Sequence, residues 1–232
     1  MYIYFDCYSC ESILKYQKKK KHAMLLAGVF MNGGNYGLPV VLFAIGDDGF
    51  VYAMMIMVIM SVYMNTIGLY IAASGADENV SKKEAFIKTI KIPIIPAIVL
   101  GAMTRMLDIG LPVSIENTVS FLADAAIPLI MIVLGIQLST IAFRSISFKS
   151  VSSLVFLRLF VSPLLAIGII YLMGLNGTLL ASVVIIIAAM PTAANTTMFS
   201  VKYNVEPDLV SSTTLISTLL SLITLPIWFQ FI

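Results

Sequence analysis

Two short stretches carry side chains and backbone suited to holding an anion. They are Asn32-Gly33-Gly34-Asn35-Tyr36-Gly37-Leu38-Pro39 and Met190-Pro191-Thr192-Ala193-Ala194-Asn195-Thr196-Thr197. Asn35, Asn195, Thr196 and Thr197 are donors that stay neutral across physiological pH. Each stretch also contains a proline inside an apolar run, and proline fits the first turn of a helix because its missing N–H costs nothing there. A helix that starts at Pro39 or Pro191 presents free N–H groups and a partial positive charge, which suits a carboxylate. The chemistry offered is binding of a small anion rather than bond cleavage.

Enzyme readings find no support. The single histidine, His22, lies in a basic stretch outside the apolar runs, so no apolar run pairs a nucleophile with a histidine base. A metalloprotease needs two histidines at helical spacing, and one is too few. Cys7 and Cys10 form a lone CxxC, and zinc would need two further ligands. Five methionines at 54, 55, 57, 60 and 64 fall on too many helix faces to form a metal stripe.

The elements that must position these donors are membrane helices. The chain is 59% hydrophobic and 11% charged, with a mean hydropathy of +0.99. A soluble domain carries about 25% charged residues, so this chain belongs in a bilayer. Its net charge of +2 is too small to suggest a nucleic-acid partner. Residues 1–22 read as a helix end followed by a basic cytoplasmic loop, and 23–232 as the transmembrane domain. Seven segments have the length to cross, at about 20 apolar residues each. They are 23–45, 50–73, 86–107, 117–140, 148–173, 178–201 and 208–231. Lysines and arginines cluster in alternate loops, which places those loops in the cytoplasm.

Neither octet favours a continuous helix. An interior glycine costs about 1 kcal/mol against alanine, and proline about 3. In hydrocarbon the freed backbone groups need partners, so a break survives only when buried in protein or lining a wet cavity. The first broken segment runs outward and the second inward. Each is followed by one last helix. That is the pattern of an inverted repeat, with three helices lacking at the front. The expected fold is therefore an all-α polytopic membrane protein of about seven transmembrane helices. Two are broken and crossing, the remnant of a carrier with a 5+5 inverted repeat. The blander reading keeps each proline as a kink and Gly33 with Gly37 as small-xxx-small packing.

The spacing Asn32-x-Gly34-Asn35-x-Gly37-Leu38-Pro39 resembles the signature of the auxin efflux carrier family of membrane transporters. Pro128-Leu129 through Gly135, Arg158 with Pro163, and Met190-Pro191-x-Ala193-x-Asn195 up to Tyr203 are similar to later helices of the same pattern. The resemblance covers about residue 23 to the end. It implies crossed broken helices at a substrate site, and export or uptake of small organic anions, with bacterial members looking like malate or malonate permeases. The expected substrate-binding set is Asn35, Gly37, Pro39, Pro191, Asn195 and Thr196.

Other polar residues carry weaker expectations. Asp124, an acid inside a span, would serve a coupling ion or sit in interfacial water. Arg158 would pair with an acid or a helix-terminal carbonyl, or snorkel. No cofactor is implied beyond a coupling proton or sodium ion. The expected function is a secondary permease of small organic anions such as dicarboxylates, working by alternating access in the cell membrane. The other reading is a truncated, non-transporting fragment or an accessory membrane subunit. The expected partners are the anion and the lipid bilayer. An exposed half-repeat also argues for a homodimer or a partner that supplies the missing helices.

Overall fold

A computed structural model describes residues 17–76, 94–139 and 148–232. Cys7, Cys10 and Pro93, together with the basic positions 82–91 and Arg144, lie outside the described residues. Helix α1 covers residues 17–29. The stretch Lys18–His22 is therefore helical and continuous with the first apolar run, not a loop. After a break at residues 30–32 the chain makes a wide π-turn, Gly33–Gly37, and runs on into α2, Leu38–Ile45.

Gly46 alone joins α2 to α3, Asp47–Gly75, and its φ of 93° is one that glycine adopts without strain. Asp47 and Asp48 sit in the first turn of α3, where acidic side chains suit the helix dipole. Then follow α4, Ile94–Met106; α5, Val113–Ser139; and α6, Phe148–Leu172. The second broken helix consists of α7, Leu179–Ala188, and α8, Ala194–Lys202. The last helix is α9, Pro207–Trp228. Every named element among the described residues is helical. Four of these helices are long and apolar enough to cross a membrane: Asp47–Gly75, Val113–Gln137, Phe148–Leu172 and Pro207–Phe231. The molecule is an all-α membrane protein.

The two breaks cross each other. Met31 and Thr192 form an antiparallel bridge. The Asn32 N–H donates to the Pro191 carbonyl at 2.8 Å, and the Ala193 N–H to the Phe30 carbonyl at 3.0 Å. A buried backbone group without a partner is expensive, and here each break supplies the other's. Two apolar clusters flank the crossing. One gathers Leu26 and Phe30 with Ala72, Leu154, Leu159 and Val210. The other gathers Leu38 and Val41 with Ala53, Ile186, Met190 and Trp228.

Helix α9 backs the crossing with a buried hydroxyl face that includes Thr213, Thr214, Ser217 and Ser221. The side chains of these four bond back to carbonyls three or four residues earlier, whereas the buried Ser212 and Thr224 hydroxyls have no partner. Small residues let membrane helices approach closely. Ser217 uses that closeness, accepting the Thr192 N–H at 3.2 Å.

Candidate functional site

The breaks fall where glycine and proline weaken the helix, but not where proline alone would place them. Pro39 does not begin the second half of the first broken helix. The turn resumes six residues earlier, at Gly33, and Pro39 sits at the start of regular α geometry after the π-turn. The reason is local. A proline ring clashes with the carbonyl four residues back, and a wider turn relieves that clash. The Gly37 N–H reaches five residues back to the Asn32 carbonyl at 2.9 Å, while the Leu38 N–H returns to the ordinary Gly34 carbonyl. Pro191 likewise does not begin α8. It lies inside the second break, buried, with its carbonyl held by Asn32, and α8 starts three residues later.

Beside the crossing lies a cavity of about 250 Å³, walled by both breaks, α3 and α5. Its polar lining comes from Asn32, Asn35, Asn195 and Ser61. Four methionines, Met31, Met57, Met60 and Met64, form much of the apolar wall. No acidic or basic side chain lines it. The half-helices on either side of the crossing begin with no side-chain cap. The first N–H groups of such a helix have no partner within it, and they carry the positive end of its dipole. Gly33 and Gly34 bring that backbone to the cavity wall.

Of the six expected binding residues, Asn35 and Asn195 line the cavity. The Asn35 amide also donates to Gln137 Oε1 on α5 at 3.2 Å. The other four do not line it. Pro39 and Pro191 shape the two half-helices. Gly37 keeps the crossing tight: an added Cβ would stand 3.3 Å from Met190 Cγ. Thr196 is fully buried, and its hydroxyl turns back to the Ala193 carbonyl at 2.7 Å. Asp124 lies on an exposed part of α5 and does not line the cavity.

Sequence reasoning missed Asn32 among the cavity-lining residues. It is 5% exposed, lines the cavity, and its side-chain Nδ2 has no hydrogen-bond partner. A buried donor left unpaired costs about 1–3 kcal/mol. The available signal was position. Asn32 directly precedes the glycines, at the N-cap, where asparagine usually bonds its own helix. Here it makes no such bond. The hydroxyl face of α9 was equally legible, as the Ser/Thr spacing from 211 to 224.

Comparison with known proteins shows the family. Residues 2–229 match the family described as Membrane transport protein. An uncharacterized transporter of Methanothermobacter thermautotrophicus is 33% identical over 212 residues, covering 90% of this chain and 67% of that protein. A second, from Methanocaldococcus jannaschii, is 26% identical over 219 residues, covering 93% and 70%. A Rhizobium meliloti protein named "Putative malonate transporter" is 25% identical over 206 residues, covering 85% of this chain and 63% of its own length. The match over nearly the whole chain places this protein in the membrane transport protein family, the auxin efflux carrier-like group that its Asn32–Pro39 stretch resembles.

Proposed function

We propose that this protein is a secondary permease for small organic anions, working by alternating access in the cell membrane. The observation that carries the reading is a cavity lined by Asn32, Asn35 and Asn195 beside two uncapped helix starts, with the buried Asn32 Nδ2 unpartnered next to it. Donors that do not titrate, arranged around positive dipole ends, suit a carboxylate. A cavity of about 250 Å³ falls below the range of about 300–1,000 Å³ typical of drug-sized ligands, which favours a short molecule. The malonate in one relative's name supports a short dicarboxylate among the candidates. In the proposed cycle the crossed half-helices carry the anion past a fixed part of the bundle, in an elevator-like or rocking stroke.

The test is uptake of labelled mono- and dicarboxylates into proteoliposomes holding this chain. A saturable signal that unlabelled substrate exchanges in counterflow is expected of a carrier. Leakage without counterflow would mean a channel, and no uptake of any carboxylate would remove the reading. Asn32→Ala is expected to raise KM on the order of ten-fold or more, since a hydrogen bond to a charged group contributes about 1.5–3 kcal/mol.

A further inference from the structure

The four helix ends at the crossing are treated unequally. The carbonyls of Ala27 to Phe30, at the end of α1, are all occupied. Ala27 O accepts from Thr192 Oγ1 at 2.8 Å, and Phe30 O from the Ala193 N–H at 3.0 Å. Gly28 O and Val29 O accept from one Arg158 nitrogen, Nη1, at 3.3 and 3.4 Å. At the end of α7 the same guanidinium serves again. Its Nη2 donates to Ala188 O at 3.1 Å and its Nε to Met190 O at 3.2 Å. A fifth bond runs from Nη2 to Ser162 Oγ at 3.1 Å.

Arg158 is 3% exposed, does not line the cavity, and makes all five bonds to carbonyl or hydroxyl oxygens. By contrast, the two helix starts beyond the breaks have no side-chain cap, and the buried Asn32 Nδ2 at the first of them has no partner.

Charge bookkeeping gives this asymmetry a meaning. Each helix end carries roughly half an elementary charge. The C-terminal ends of α1 and α7 together amount to about one negative charge, which one guanidinium cancels. The two starts beyond the breaks are left with about one positive charge. Oxygen-only surroundings of this kind are also what a hard cation takes.

We propose that Arg158 is a tethered counter-cation for the crossing. It fills from within the chain the place that a bound cation would otherwise have to fill. One carboxylate then neutralises the two remaining positive ends. Arg158 is a positioning residue: it acts through the helix ends and does not touch the substrate. The inference rests on the anion-permease reading for its substrate, but not for its cation site.

The full chain tests it in two ways. In detergent, R158A is expected to melt higher with a few millimolar guanidinium or sodium chloride than with choline chloride at equal ionic strength. Wild type is expected to show no such difference. In proteoliposomes, wild-type KM for labelled monoethyl malonate is expected to be the same in sodium and in choline medium. R158M keeps the volume without the charge, and its KM should rise on the order of ten-fold with little change in kcat. R158K keeps the charge and should stay near wild type.

If no anion is carried but R158A still responds to guanidinium, the permease reading fails and the counter-cation stands. Equal KM values for R158M and R158K would overturn the inference, as would a sodium requirement in wild type. So would a folded R158A that ignores both cations. If R158A does not insert, the R158M and R158K comparison decides.

Discussion

Three asparagines line the cavity, and their positions differ in what the sequence could reveal. Asn35 and Asn195 stand out because an amide beside a helix break is unusual in an apolar run. Asn32 has the same chemistry, but its importance lies in being buried without a partner, and burial depends on the crossing. Thr196 is the reverse case. A threonine near a helix start reads as a donor for a ligand, yet its hydroxyl is spent on the carbonyl three residues back. These two residues therefore give opposite expectations. Thr196→Ala is expected to leave KM unchanged and to lower stability by about 1 kcal/mol, the usual net contribution of one internal hydrogen bond. Asn195→Ala is expected to raise KM several-fold with insertion unchanged. Uptake kinetics and thermal melting of the two variants separate them.

At the scale of the helix, glycine and proline content was enough to show that two segments break. It was not enough to show where. The first break lies at residues 30–32 and the second at 189–193, because the wide turn absorbs Gly33–Gly37 and the chain extends through Pro191. A π-turn has no composition of its own; one also occurs at Met64–Gly68 with no proline near it, and at Gly33–Gly37 Pro39 disfavours the ordinary turn. Replacing Pro39 with alanine removes that cause. The ladder is then free to close as a regular helix, which turns the segment before it by about 100° relative to α2. Pro39→Ala is expected to keep or raise the melting temperature while uptake falls at least ten-fold, because Asn35 and the first N–H groups leave the cavity wall. Unchanged uptake would show that the wide turn does not position them.

For the whole molecule, composition alone gave the membrane class and the long helices. The crossing partner was readable only through the opposite directions of the two broken segments. Which backbone atoms meet was not readable, since that depends on register between residues more than 150 positions apart. The register has a direct test. Met31 and Thr192 face each other as a non-hydrogen-bonded antiparallel pair, for which Cα atoms lie about 4.5 Å apart, within the range a disulfide spans. Cysteines at both positions are expected to cross-link under mild oxidation in membranes. A pair shifted to Met31 and Ala188 should not. Failure of the first pair, in a protein that inserts normally, would rule out the crossing.

That small patch of strand-like pairing has a mechanical consequence. Two rods laid across each other can usually slip. These two are stitched at their midpoints by amides from both sides, so sliding one along the other would tear both stitches at once. In the proposed cycle the anion's seat is thus part of a rivet, and the rivet travels whole or not at all. At its rim the Asn35 amide donates to Gln137 Oε1 on the neighbouring helix, so a stroke of the rivet against that helix would have to break this bond.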